Sequence, residues 1–328
     1  MLRTRFTEMF ALDYPVMSAP MALHSGGTLA GAVSEAGGLG SFGGIHPVKG
    51  PEWIRAEIST IQARTDRPFA VGFITAFLTF LEPLFEATVA ERPAAVALSF
   101  GDPQPWLTRA KDAGTRVICQ VQNFEDADLA VEAGADVLAA QGNEAGGHTG
   151  TMGLLPFLAE VVARHSDVPV LAAGGIGDGR TLAAALTVGA DGAWVGTPFL
   201  ATTEAVEVHD VHKKLIVDSD GSDTVFTHVY DIVSARPWPP GVGERVRRNR
   251  FTDEWSDREP ELRERSVEMA PPEGINPYED PPDPETMAVD YGQSAGLVHS
   301  VKSAAEVVRA LGADAEQILR YRPGSILT

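Results

Sequence analysis

The 328-residue sequence has only one cysteine, Cys119, so no disulfide can form within one chain. This scarcity is typical of a reducing compartment, and we expect a cytoplasmic protein. Long apolar runs are also missing, since none approaches the roughly 18 residues that span a bilayer. Residues 1–17 contain acids and no continuous apolar segment, so we expect neither a signal peptide nor a membrane partner.

Basic residues are few relative to acidic ones. Lys and Arg number 26 against 45 Asp and Glu, for a formal net charge of −19. A surface of this sign repels phosphodiester backbones, so we expect no nucleic-acid partner. Hydrophobic residues make up 44% of the chain, which is enough to bury the core of one large domain, with or without an insertion.

Eight short segments predict β-strands, and most of them are continuously apolar, as parallel strands covered on both faces are. They span residues 15–22, 38–44, 69–75, 94–100, 116–121, 137–142, 169–175 and 192–200. Stretches with apolar residues at helical spacing lie between them and often stop at glycine. Examples are residues 26–37, 106–114, 124–135 and 179–190.

This repetition predicts an α/β protein, a (β/α)8 TIM barrel with an insertion or cap region after strand 8. A doubly wound open sheet is the alternative, but the sequence shows no point at which the strand order reverses. We expect the barrel in residues 1–205, an insertion over its mouth in 206–289, and a C-terminal return in 290–328.

The insertion is rich in proline and in charged residues. Its residues 270–288 therefore also fit a disordered linker. Against that interpretation, four aromatic side chains are candidate packing anchors: Trp238, Phe251, Trp255 and Tyr278.

Glycine-rich corners follow the last two predicted strands, at Gly174-Gly175 and at Gly196-Thr197. TIM barrels bind phosphate at this position, where backbone N–H groups can surround it. We therefore expect a phosphorylated cofactor or substrate, although the glycines could simply turn tight corners. Residues 38–43 match GxGxxG, but these glycines lie on a predicted strand that follows a helix, which excludes a Rossmann dinucleotide site.

His148 follows Gly146-Gly147 after the sixth predicted strand, at the barrel end that carries catalytic groups. From the residues alone it is either a catalytic base or a structural loop residue. His209 and His212 lie on a predicted surface helix, where a solvated face is favoured over a metal pair, so we expect no metal. Cys119 is expected to be a buried small hydrophobic residue.

Five segments together resemble the nitronate monooxygenases, formerly called 2-nitropropane dioxygenases, which are FMN-dependent TIM barrels. They are MSAPMA, EAGGLGSFGG, QGNEAGGHTG, LAAGGIGDGRTLAAALTVGADGAWVGTPFLAT and GQSAGLV. The likeness covers residues 1–205 and 290–328. Flavin-dependent enoyl-acyl-carrier-protein reductases are similar across the same segments.

The resemblance implies FMN in residues 1–205 and makes His148 the counterpart of the family's catalytic histidine. The phosphate would lie on Gly174, Gly175, Gly196 and Thr197, and the ring would contact Ala19, Pro20, Met21, Gln120, Gln141, Gly146, Gly147, Ser294 and Gly296. Three positions depart from the common pattern: Ala19-Pro20 replaces Gly-Gly, Gly72 stands where Asn is frequent, and Gln120 replaces a lysine of some members.

We therefore expect an FMN enzyme that oxidises alkyl nitronates or nitroalkanes with O2 to a carbonyl compound and nitrite, with His148 as the base. The main alternative is an NAD(P)H-dependent flavin enoyl-acyl-carrier-protein reductase, and a non-catalytic flavin-fold module is a third hypothesis. The partners would be O2 and a small substrate, a nitronate or other small anion. A homo-oligomer stays open.

Four arginines in the insertion bear on the alternative: Arg245, Arg247, Arg248 and Arg250. They form either a solvated basic face paired with nearby acids or an anion-recognition patch. Such a patch would suit an acidic carrier protein.

Overall fold

A computed structural model describes residues 2–269 and 283–327. Its strands are β1 (Val16–Ser18), β2 (Gly40–Gly43), β3 (Phe69–Ile74), β4 (Ala95–Ser99), β5 (Arg116–Val121), β6 (Val137–Gln141), β7 (Gly147–Thr149), β8 (Val170–Ala173), β9 (Gly192–Val195), β10 (Thr224–Thr227) and β11 (Gly243–Arg247). Its α-helices are α1 (Arg5–Phe10), α2 (Gly27–Glu35), α3 (Pro51–Arg64), α4 (Leu78–Ala90), α5 (Gln104–Asp112), α6 (Phe124–Ala133), α7 (Leu154–Arg164), α8 (Gly179–Val188), α9 (Thr197–Leu200), α10 (Asp210–Asp218), α11 (Val229–Ser234), α12 (Arg250–Trp255), α13 (Glu259–Met269) and α14 (Ala304–Tyr321). Short 3-10 helices span Thr75–Phe77, Gln293–Leu297 and Pro323–Ser325.

Eight parallel strands wrap into a nearly closed barrel, which confirms the predicted TIM-barrel class. Their order around the sheet is β1-β9-β8-β6-β5-β4-β3-β2. The two end strands meet at a parallel bridge between Met17 and Leu39, where the Leu39 N–H donates to the Val16 carbonyl at 2.9 Å. All eight carboxyl ends therefore lie at one mouth, where the loops after the strands come together.

Side chains alternate between the inside and the outside of the barrel, as successive residues of a strand must. Along β4, Ala95 and Ala97 belong to the inner cluster of buried residues, whereas Val96 packs in the outer cluster under the helices. Phe6 and Phe10 of α1 also pack in the inner cluster. Helix α1 thus fills the end of the barrel at which the strands begin, and leaves the opposite mouth for a site.

Three further strands form an antiparallel sheet beside the barrel, in the order β10-β11-β7. The sequence placed His148 in a loop, but the structure places it on β7, directly opposite Glu244 of β11. Gly147 allows this because its φ of +71° turns the chain into the strand. The insertion therefore contributes backbone pairing to the segment that carries His148.

The predicted strand 192–200 was too long. Strand β9 ends at Val195, Gly196 caps α9, and Pro198 lies in the first turn of that helix. Both parts are apolar and buried, so hydrophobicity alone could not separate a strand from a short buried helix. The rejected GxGxxG segment does lie on β2, directly after α2, as expected.

Three of the four expected anchors pack as predicted. Trp255 is 3% exposed in a small cluster with Leu262, Phe251 stacks on Tyr230 at 5.2 Å, and Trp238 stacks on His148. Tyr278 lies outside the described residues. So do residues 270–282, most of the 270–288 segment for which a disordered linker was the alternative. The three-part division of the chain stays a prediction. Among the described residues, no helix has the length and apolarity needed to cross a membrane.

Candidate active site

A large cavity opens at the mouth formed by the carboxyl ends of the barrel strands. The residues that line it come from the ends of most of the barrel strands and from the insertion. Every predicted site residue except Gly296 lines it: Ala19, Pro20, Met21, Gln120, Gln141, Gly146, Gly147, His148, Gly174, Gly175, Gly196, Thr197 and Ser294. Gly296 lies instead in a shallow depression next to it, which Gly175 and Ser294 also line.

His148 is held at the cavity wall by contacts from the insertion. Its Nε2 lies 2.9 and 3.1 Å from the two carboxylate oxygens of Asp231 on α11. The Trp238 ring stacks on the imidazole, with centroids 3.6 Å apart and planes 15° from parallel. Phe100 meets both rings edge-on. The imidazole therefore has one orientation, set by residues far from it in sequence.

Gln141, an expected flavin contact, also holds the backbone of β7. Its Nε2 donates to the His148 carbonyl at 3.0 Å, and its Oε1 accepts from Gln122 at 3.0 Å. Both ends of the amide are engaged, so the side chain is fixed at 5% exposure. Gln141 thereby links the end of β6 to the position of His148.

Two carboxyl groups lie beside His148, and a third, that of Asp290, lines the same cavity. Asp231, Glu244 and His148 place one oxygen or nitrogen each within 4.8 Å of one another, and Asp290 lines the cavity nearby. Glu244 is 4% exposed, and its Oε1 has no hydrogen-bond partner among the described residues. Burial, together with the charges of Asp290 and Asp231, raises the pKa of Glu244 well above its usual value.

The corner after β8 has the form of an anion cradle. Gly174 and Gly175 adopt φ values of +94° and +68°, and a Cβ on Gly174 would come within 2.8 Å of the Gly142 carbonyl oxygen. No hydrogen bond joins the backbone N–H of Gly175 or Ile176 to any other described residue. Unpaired N–H groups lining a cavity favour a phosphate. This corner therefore has backbone N–H groups available to an anionic group in the cavity.

Two departures from the family pattern touch each other. A Cβ added to Gly72 would lie 2.3 and 2.4 Å from Cγ and Cβ of Pro20, far inside van der Waals contact. The Pro20 ring therefore occupies the space that a side chain at position 72 would need. The replacement at position 20 and the glycine at position 72 are thus sterically coupled at the cavity wall.

The four arginines do not form one surface. Arg245 is 8% exposed, and its guanidinium donates to the Asn143 carbonyl at 2.6 Å and to Thr224 Oγ1. Arg247 and Arg248 instead pair with nearby acids, as the solvated-face interpretation expects. The expectation was wrong for Arg245, because its polar contacts with the loop after β6 are internal. None of the four lines the cavity.

The interpretation of His209 and His212 as a solvated pair was also wrong. His209 caps α10, but His212 turns inward and is 5% exposed, with its ring 6.2 Å from that of His24. Burial lowers the pKa of His212 to about 4. Cys119 is buried as expected, and burial raises the pKa of its thiol to about 12, so it is not a nucleophile.

Sequence patterns did not give the roles of three residues at the site: Asp231, which contacts His148, and Trp238 and Tyr291, which line the cavity. Asp231 lies 83 residues after His148, and no spacing rule links the two. Trp238 was expected only to pack, and Tyr291 was not singled out. Gly146 gave an indirect indication of a close neighbour. A Cβ on Gly146 would lie 2.3 Å from the backbone carbon of Tyr291, so only glycine fits there.

Comparison with known proteins shows the family of the chain. A family model described as nitronate monooxygenase matches residues 3–314. The nitronate monooxygenase npaC of Metarhizium robertsii is 35% identical over 358 residues, covering 97% of this chain and 97% of the relative. A nitronate monooxygenase of Pseudomonas aeruginosa is 34% identical, covering 72% of this chain and 79% of the relative.

Solved structures agree with this match. FabK from Thermotoga maritima has a TM-score of 0.85 and 31% identity, covering 99% of this chain and all of that one. A nitroalkane oxidase from Streptomyces ansochromogenes has a TM-score of 0.77 and 27% identity, covering 97% and 99%. The family and these neighbours imply a flavin cofactor. With its cavity, its anion cradle and a family match over nearly all its length, this oxidoreductase belongs to the nitronate monooxygenase family.

Proposed function

We propose that this enzyme uses FMN to oxidise alkyl nitronates, and nitroalkanes through their nitronates, with O2 to a carbonyl compound and nitrite. The observation that carries the proposal is the position of His148. Its imidazole is fixed by Asp231 and Trp238 on the wall of the same cavity that contains the anion cradle. A base so placed faces a substrate lying between it and the barrel axis.

FMN fits the residues that are present. Its phosphate would lie on Gly174, Gly175, Gly196 and Thr197, and its ring would lie against Ala19, Pro20, Met21, Gln120, Gln141, Gly146, Gly147 and Ser294. Gly296 lies outside the cavity, in the depression beside it, so it would not contact the ring directly. The chemistry that FMN supplies when bound is redox: electrons leave the organic substrate and reach O2.

The chain's own residues select and activate the substrate. Apolar side chains, among them Ile45, Phe73 and Trp238, line the cavity and exclude water from the reacting carbon. Neither Lys nor Arg is among the described residues that line it. A neutral nitroalkane can enter such a cavity because it needs no cationic side chain to balance a charge. His148 then removes its acidic α-proton inside the site. This lining favours a small substrate whose alkyl part is apolar, which describes a nitroalkane and the nitronate formed from it.

The reductase alternative is supported by the likeness to FabK, which has the higher TM-score of the two neighbours. An acidic carrier protein would need a basic docking surface on a chain of net charge −19. Of the four arginines, Arg245 is internal and Arg247 and Arg248 pair with acids, so Arg250 is left as a single exposed cation, which does not make a basic docking surface. This geometry favours nitronate oxidation.

We expect the purified protein to be yellow and to release FMN, without FAD, when it is denatured. The physical reason is that one phosphate cradle is present, while the GxGxxG segment that might hold a second nucleotide lies on β2. Chromatography of the released flavin checks this result. Release of FAD into the supernatant would contradict it, as would a colourless protein that does not bind added FMN.

The function is tested with the holoprotein in two separate assays. With the nitronate of a small nitroalkane and O2, we expect oxygen consumption and nitrite formation. With NAD(P)H and a short enoyl thioester without oxygen, we expect no reduction of the double bond. Reduction of the thioester without nitrite formation in the first assay would establish the alternative.

A further inference from the structure

His148 Nε2 is hydrogen-bonded to the carboxylate of Asp231. It lies 2.9 and 3.1 Å from the two oxygens of Asp231, and the side chains of His148 and Asp231 are only 16% and 12% exposed. An ionised carboxylate only accepts hydrogen bonds, so Nε2 must carry a proton. A neutral imidazole has one N–H, and its lone pair is then on Nδ1.

Three contacts hold the backbone and the ring plane of His148. Trp238 covers one face at 3.6 Å, and β7 is paired with β11 on either side of His148. Gln141 holds the His148 carbonyl at 3.0 Å. All three would remain if the ring turned over about its Cβ–Cγ bond, so the Asp231 contact is what selects the orientation that places Nε2 at the carboxylate.

Glu244 is the second carboxyl beside this pair. It lies opposite His148 in the strand register, and its carboxyl comes within 4.8 Å of both His148 and Asp231. It is 4% exposed with an unpartnered Oε1 among the described residues, an arrangement that strongly disfavours a negative charge. The pKa of Glu244 is raised by burial first, then by the charges of Asp290 and Asp231, against the opposing charge of Arg236.

We infer that Asp231 is a positioning residue that makes Nδ1 of His148 the base, while Glu244 stays protonated and leaves Asp231 as the single counter-charge of the imidazolium. This inference rests on the proposed function. In the step it serves, the substrate Cα–H bond breaks, its proton goes to Nδ1, and its electron pair moves into the nitro group to give the nitronate. No oxidant takes part in this step.

The groups that face His148 come from several elements. Asp231 is on α11, Glu244 is on β11, and Asp290 is on the cavity wall next to Tyr291. Arg236 follows α11 and acts on Glu244. With Glu244 neutral, Asp231 is the group in direct hydrogen-bond contact with the ring.

The test compares Asp231→Asn with Glu244→Gln, two changes of one carboxyl to its amide. Asp231→Asn should lower kcat/KM for a neutral nitroalkane by about 10²–10³-fold, because the tautomer and the counter-charge are lost. Asp231→Asn should turn over preformed nitronate within about threefold of the parent, since no proton is removed from that substrate. Glu244→Gln should lose far less activity with either substrate than Asp231→Asn loses with the nitroalkane, because it replaces one neutral group by another.

Two readouts do not depend on turnover. In protein labelled with ¹⁵N-histidine, assigned with His148→Asn, we expect Nε2 to be protonated and Nδ1 to be bare. Glu244→Gln should also unfold at a higher temperature than the parent. The difference should grow as the pH rises above 4.5, the usual pKa of Glu. The sign follows because the parent must keep Glu244 protonated when folded, whereas the unfolded chain can ionise it.

The inference is overturned by a bare Nε2, by equal losses of Asp231→Asn on both substrates, or by a loss in Glu244→Gln as large as in Asp231→Asn. A parent enzyme that oxidises neither substrate would refute the proposed function instead. The ¹⁵N and unfolding results would still decide the protonation of His148 and Glu244.

Discussion

Replacing His148 by Asn should lower turnover of a neutral nitroalkane by about 10²–10⁴-fold, the usual contribution of a positioned general base. Asn keeps a polar side chain at this position, but it has no nitrogen that accepts a proton near neutral pH. Steady-state kcat/KM for a nitroalkane and for its preformed nitronate measures the effect. The loss should be much smaller with the nitronate, because its α-proton is already gone.

The control for this prediction is His299→Asn, since His299 is exposed and does not line the cavity. It should change neither activity nor flavin content. His148→Asn should retain flavin, because the phosphate cradle is formed by the corner after β8. A small and equal loss with both substrates would make His148 a structural residue of β7.

Introducing Asn at Gly72 should weaken flavin binding by about 10–100-fold, and the added change Pro20→Gly should recover most of it. The new Cβ would lie 2.3 Å from Pro20 Cγ, and a proline ring cannot rotate away. Overpacking of this kind costs roughly 1–3 kcal/mol, and about 1.4 kcal/mol corresponds to tenfold in affinity. Fluorescence titration of the apoprotein with flavin measures each variant.

The matched control is Gly153→Asn, because a Cβ there meets nothing within 4 Å and Asn is a good residue at the start of α7. It should bind flavin as the parent does. With Pro20→Gly alone as the third variant, these changes form a double-mutant cycle, in which coupling of about 0.5–3 kcal/mol is expected for residues in contact. Additive effects would show that Pro20 and Gly72 act independently.

The barrel could be predicted because its signals are local. Each strand is a short apolar run, each run is followed by a helix of clear periodicity, and the corners carry glycine where the chain must turn. The errors fell where local chemistry was ambiguous. Residues 197–200 are apolar and buried, so they resembled the end of β9 although Gly196 and Pro198 begin a helix there.

Long-range contacts account for what the sequence missed at the site. His148 was singled out by its position after Gly146-Gly147 and assigned as the base through the family resemblance. Its partners come from the insertion, whose antiparallel pairing through β11 has no spacing signature. The same limitation applies to Arg245 and His212. Each is a polar residue on a segment that looked solvated, and each is buried by contacts with distant parts of the chain.

The sequence by itself determined the fold class, the mouth that bears the site, the histidine and the glycine corners, because strand period, helix period and turn chemistry are properties of neighbouring residues. Only the tertiary structure decided which nitrogen of His148 meets Asp231, that Glu244 is buried beside them, and that Pro20 fills the space over Gly72. These are distances of a few ångströms between residues tens of positions apart. They depend on how the insertion packs on the barrel, and no local pattern encodes them.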